Sequence, residues 1–94
     1  MTSIQLSSRY GVRPGVMIRE LDGEAILLDV ASSHYFRLND SGRQILDLVD
    51  GERELEAILE TLTGRYDSPR DELASDLVGL VAELEREGLL VRLE

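Results

Sequence analysis

The chain has 94 residues, 43% of them apolar, and sets 19 acidic side chains against 10 arginines and no lysine, for a net charge of −9. That length holds one domain around a single modest core. The acidity repels phosphate backbones and anionic membrane surfaces, and the absence of cysteine removes disulfides, thiol catalysis and cysteine-ligated metal sites.

Residues 1–13 are polar, mixed and aperiodic, and predict a flexible arm ahead of a domain over residues 14–94. They hold no apolar run long enough for a secretory signal, and no window approaches the roughly 18 apolar residues of a membrane span. A cytoplasmic protein with no membrane partner is expected. Pro14-Gly15 marks a turn, and Val16–Leu21 reads as a first strand. Asp22-Gly23 is a two-residue hairpin signal leading into a second strand, Ala25–Asp29. Ala31-Ser32-Ser33 turns the chain again. Tyr35–Leu38 reads as a third strand, with Phe36 and Leu38 on one face and Tyr35 and Arg37 on the other.

Asn39 or Asp40 then caps a helix, because either side chain accepts from the free N–H groups of a first turn. Ile45, Leu48 and Val49 supply its apolar face, and Asp50-Gly51 ends it. A second helix is predicted from Glu54 to Thr63 on the stripe Leu55, Ile58, Leu59 and Leu62. Ser68-Pro69-Arg70-Asp71 opens a third, with the proline at the first helical position, running to about Glu87 before Gly88. Leu89–Leu93 reads as a short final strand. The fold class is therefore α+β: a three-stranded antiparallel sheet followed by three helices, the outline of a winged helix-turn-helix. On the third helix the stripe Leu73, Leu77, Leu80 and Leu84 has an apolar flank in Ala74, Val78 and Val81, wider than a surface helix needs. It serves either a second packing neighbour or a groove that a partner fills.

Little in the chain suits chemistry. His34 is the only histidine and has no cysteine or second histidine with which to share a metal, so no metal site and no cofactor are expected. No serine stands in a nucleophile elbow, and Asp40-Ser41-Gly42 lacks the leucine that follows the modified serine of acyl carriers. The glycines form neither common phosphate loop. What remains is a strand edge. In a three-stranded meander the first and third strands both leave N–H and C=O groups unpaired, and a peptide can add there.

The run Ala25–Asp29, then His34-Tyr35-Phe36-Arg37-Leu38-Asn39, Gly42 and Asp50-Gly51, resembles the PqqD-like proteins. So does the later pattern of Leu59, Leu62, Tyr66, Asp76-Leu77, Leu80, Leu84 and Gly88-Leu89-Leu90. The resemblance covers residues 14–91. It implies a non-enzymatic peptide recognition element that binds the leader of a ribosomally made precursor and delivers it to a modifying enzyme. It implies a winged helix-turn-helix in which the leader adds along the third strand and packs on the third helix. Carried onto this sequence, the peptide-binding residues are His34, Tyr35, Phe36, Arg37 and Leu38 on the strand, and Ala74, Asp76, Leu77, Val78 and Val81 on the helix. Members serving pyrroloquinoline quinone synthesis often carry Cys-Asp-Gly where this chain has Val49-Asp50-Gly51. Tyr35–Asn39 with Gly42 three residues on is more similar to stand-alone members of lasso peptide pathways, which work with a leader peptidase and a cyclase. Two rivals stand beside this reading. One is a winged-helix transcription factor, disfavoured by the net charge and by a third helix with only Arg70 and Arg86. The other is a self-pairing interaction module.

Overall fold

The Pro14-Gly15 and Asp22-Gly23 signals of the sequence become turns in the computed structural model, which describes residues 4–93. The strands are β1 (Tyr10–Val12), β2 (Val16–Leu21), β3 (Glu24–Asp29), β4 (His34–Leu38) and β5 (Leu90–Arg92); the helices are α1 (Asp40–Asp47), α2 (Leu55–Arg65) and α3 (Arg70–Arg86). Asp22 and Gly23 both take positive φ, 54° and 80°, the pair of left-handed residues that a tight hairpin requires. They close β2 onto β3 with Val16 opposite Asp29 and Leu21 opposite Glu24. The next turn is organised by Asp29, whose carboxylate accepts from the Ala31 amide and the Ser32 hydroxyl. β4 then pairs antiparallel with β3, Leu27 opposite Phe36 and Ala25 opposite Leu38. The order β2-β3-β4 leaves β4 as an edge.

Directly paired residues share a face. Ala25, Leu27 and Leu38 therefore line the inner face and are buried, while Met17, Leu28, Tyr35, Ile26 and Arg37 lie on the outer face. Asn39 caps α1, its side chain accepting from the Gly42 amide at 2.9 Å. The helix carries Ile45 and Leu46 under the sheet. α2 contributes Leu55, Ile58, Leu59 and Leu62, and α3 contributes Leu73, Leu77, Val81 and Leu84, to the one core cluster. α3 stops where Gly88, at φ 78°, lets the Leu89 amide turn back to the Leu84 carbonyl at 2.9 Å. Pro69 takes the N-cap position of α3, one place before the first helical position expected for it, and no side chain caps the helix.

The arm predicted over residues 1–13 is corrected from residue 4 onward; its residues 1–3 lie outside the described residues, as does Glu94 at the other end of the predicted domain. β1 pairs with β5, Tyr10 opposite Arg92 and Val12 opposite Leu90, in a separate two-stranded sheet. Tyr10 is only 2% exposed, and that burial, with Glu85 nearby, pushes its hydroxyl pKa upward. The segment also completes α2. Glu54 offers no side-chain cap there, and the Leu55 and Glu56 amides donate instead to the carbonyls of Ser8 and Leu6, at 3.0 and 2.8 Å. Local composition hid this, because the partners of residues 4–12 are far away in sequence. Arg13 ties the same region down: its guanidinium bonds the Gly88 carbonyl and pairs with Asp29 at 2.7 Å.

Candidate functional site

The free edge of β4 faces α3 across a gap. β4 runs antiparallel to the helix, because His34 at its start bonds Glu87 after the helix end, Nε2 to Oε1 at 2.7 Å. Leu38 at its other end shares a cavity with Leu80. That cavity has a volume of about 450 Å³ and is lined by Glu24, Phe36, Arg37, Leu38, Asn39, Gly42, Leu80 and Glu83. A second hollow of about 220 Å³ lies further along α3, between Ser41, Ile45, Leu62, Tyr66, Ser68, Leu73 and Asp76. Tyr66 is held there by a hydrogen bond from its hydroxyl to Gln44. From Asp76 to Glu87 the helix advances about 17 Å at 1.5 Å per residue, enough to run beside about five residues of extended chain. The arrangement is a strand edge with open main-chain groups, a partly apolar floor and a polar rim, which is what a peptide adding as a strand requires.

Most charges on the rim already have partners. Arg37 pairs with Glu24 at 2.8 Å. Arg43 reaches Asp40 at 2.9 Å and Asp47 at 3.0 Å, and the hydrogen bonds from Arg43 and Gln44 hold the Asp40 carboxyl below the usual carboxylate range. Among the described residues no group of three metal-ligating side chains assembles. No helix among them is long and apolar enough to cross a membrane.

The structure divides the ten residues expected at the site. Phe36, Arg37 and Leu38 line the larger cavity, and His34 closes one end of the gap. Tyr35 is 64% exposed on the outer face, so only its main chain belongs to the edge. Asp76 lies in the smaller hollow. Of the helix residues, Ala74, Leu77, Val78 and Val81 line neither hollow. Leu77 and Val81 are 0% and 1% exposed, sealed in the core behind the gap, and Ala74 and Val78 are half-buried on the flank away from it. The groove side of α3 is instead Leu80 and Glu83. At about 100° per residue these fall on the opposite side of the Leu77–Leu84 stripe from Ala74 and Val78. The sequence contained one signal for this, since Leu80 sits at the edge of the apolar arc beside acids and not at its centre. Arg70, one of the two cations of α3, is occupied by Glu56.

A model of the family described as "Coenzyme PQQ synthesis protein D (PqqD)" matches residues 24–90, well over half of the chain. This chain belongs to the PqqD family. A relative from Rhodopseudomonas palustris (strain HaA2), the "PqqA binding protein", is 35% identical over 52 residues, which span 55% of this chain and 51% of that protein. The match thus covers about half the length of the curated relative. Two solved structures superpose on most of the chain. One is "TbiB1 in Complex with the TbiA(beta) Leader Peptide", 25% identical, with a TM-score of 0.79 over 85% of this chain and 93% of that one. The other is "Lasso peptide synthetase B1 complexed with the leader peptide", 25% identical, with a TM-score of 0.81 over 88% and 98%. The heterocyclase TruD contains the same fold within a larger chain: TM-score 0.66 at 20% identity over 92% of this chain and 12% of that one. The α+β architecture inferred from the sequence is therefore that of the family, with the small β1-β5 sheet added.

Proposed function

We propose that this protein is a non-catalytic recognition domain that binds the leader of a ribosomally made precursor peptide as a fourth strand along β4. The observation that carries the reading is the unpaired β4 edge set beside the cavity against α3. Main-chain hydrogen bonds hold the leader in register, and side chains on alternate leader residues enter the cavities along α3. The domain then presents the precursor to a modifying enzyme. Holding leader and enzyme together raises the effective concentration of one near the other, with no chemistry of its own. Two solved structures described with leader peptides, and a relative named for binding PqqA, support the reading.

The finer reading is lasso peptide biosynthesis, with a leader peptidase and a cyclase as partners. It is supported by the solved neighbour described as a lasso peptide synthetase B1, which covers nearly all of this fold. A pyrroloquinoline quinone pathway is the second reading, supported by the family description and the PqqA-binding relative. Fluorescence anisotropy with labelled lasso-type leaders, quinone-type leaders and a duplex DNA, at two salt concentrations, separates them. Binding to one leader class that changes little with salt is expected, since main-chain and apolar contacts dominate. Salt-steep binding to DNA alone would refute the proposal in favour of the transcription-factor rival. An N-methyl scan of the bound leader tests the mode. Methylating amides that face β4 removes donors, so affinity should fall at every second residue; a uniform or aperiodic loss would exclude strand addition.

A further inference from the structure

Glu83 is the charged residue of the larger cavity that has no partner among the described residues. It lines the larger cavity with Phe36, Leu38 and Leu80 and is half-buried. The other charges there are spoken for: Glu24 takes Arg37 at 2.8 Å, and Glu87, one helical turn on, takes His34 at 2.7 Å. Among the described residues the Glu83 carboxylate has no ion pair and no hydrogen bond; Arg86, three residues along the helix, is exposed and makes none with it. A strand laid along β4 would cover this carboxylate. Covering it without a partner carries a desolvation penalty that opposes binding. A peptide that brings a lysine or arginine to that point removes the penalty and gains a charge-assisted hydrogen bond.

Resting on the strand-addition reading, we propose that Glu83 selects for a basic residue at one fixed position of the bound peptide, two residues from an apolar one. The spacing follows from geometry. Side chains on one face of a strand recur about every 6.7 Å, and Leu80 lies about 4.5 Å along the helix from Glu83, at the apolar end of the cavity. The next residue on the same face of the peptide therefore meets the wall made by Leu80, Leu38 and Gly42. Ligands of this domain are leaders carrying a cation and an apolar residue two positions apart.

The test uses the full-length protein and a phage-displayed library of random 14-residue peptides. Wild type should enrich a cation at a fixed spacing from an apolar residue. Glu83→Lys should exchange it for an acid at the same position. Glu60→Lys, an exposed change of equal charge on α2, should leave the pattern alone and so controls for general acidity. For the best synthetic peptide, Glu83→Gln should weaken binding about fivefold, while the peptide with norleucine in place of its cation should bind Glu83→Gln at least as well as wild type. Enriched peptides without a positioned cation, or a cation preference that survives in folded Glu83→Lys, would overturn the selection while leaving strand addition intact. If folded wild type enriches no peptide, or if N-methyl scanning of the enriched peptides shows no period of two, both readings fall together.

Discussion

Truncating Leu80 to alanine should weaken peptide binding about sevenfold and cost the fold only about 1 kcal/mol. Three carbons are removed, worth about 2.4 kcal/mol if fully transferred from water. Leu80 is half-buried in the free protein, so about half of that is lost from folding and about half, near 1.2 kcal/mol, from peptide docking, which is about sevenfold in Kd. Leu77, one turn earlier and 0% exposed, gives the contrast. Leu77→Ala should cost about 2–5 kcal/mol of stability through lost burial and a cavity, and at least ~8 °C in Tm, while molecules that remain folded bind as before. Val78→Ala should lower stability slightly and leave Kd within about twofold, because the residue is on the flank away from the gap. Urea melts and anisotropy on the same three variants read both quantities. If Leu80→Ala leaves affinity unchanged while Val78→Ala weakens it at constant folding, the peptide lies on the other flank of α3 and the assignment of the groove is wrong.

Deleting residues 1–9 should lower the urea midpoint, since it removes the carbonyls of Leu6 and Ser8 that cap α2; two lost main-chain bonds are worth about 1–3 kcal/mol, and an unchanged midpoint would restore the flexible-arm expectation. Tyr35→Ala should leave leader affinity within about twofold, because its side chain points to the outer face and only its main chain serves the edge; a loss beyond tenfold by anisotropy would put the leader across that face. The carboxyls of Asp29, Asp40 and Asp50 are held below their ordinary range, led by hydrogen bonds from the Ser32 hydroxyl, from Arg43 and from the Arg53 amide respectively. Folded values below unfolded ones mean that this stabilisation is full above about pH 4 and is lost as pH falls through the lowered values, so the urea midpoint should drop on acidification. Glu20, raised first by its hydrogen bond with Asp47, contributes with the opposite sign, favouring the fold below the ordinary range and losing that effect as pH rises. Glu20→Gln should therefore steepen the acid loss and Asp29→Asn should flatten it; a slope indifferent to both would show that other groups control acid unfolding.

The local signals were decisive wherever structure depends on neighbouring residues. Asp22-Gly23 made a hairpin because both central residues must take positive φ, and Gly88 ended α3 for a related reason. Asn39 capped α1 because its oxygen reaches the third amide on, and strand alternation correctly set Phe36 and Leu38 inward with Tyr35 and Arg37 outward. From those pieces the sheet, the three helices and an edge strand could be written down, and the family pattern with them. Tertiary structure decided three other things. The pairing of β1 with β5 joins residues some eighty positions apart, so no local pattern records it, and Tyr10 looks like arm until Arg92 is opposite it. Which flank of α3 meets β4 depends on the rotation of the helix about its axis, and the broad apolar arc from Leu80 to Val78 permitted either choice. Last, the sequence contains 19 carboxylates of equal rank, and only folding, by pairing Glu24 with Arg37 and Glu87 with His34, leaves Glu83 open in the groove.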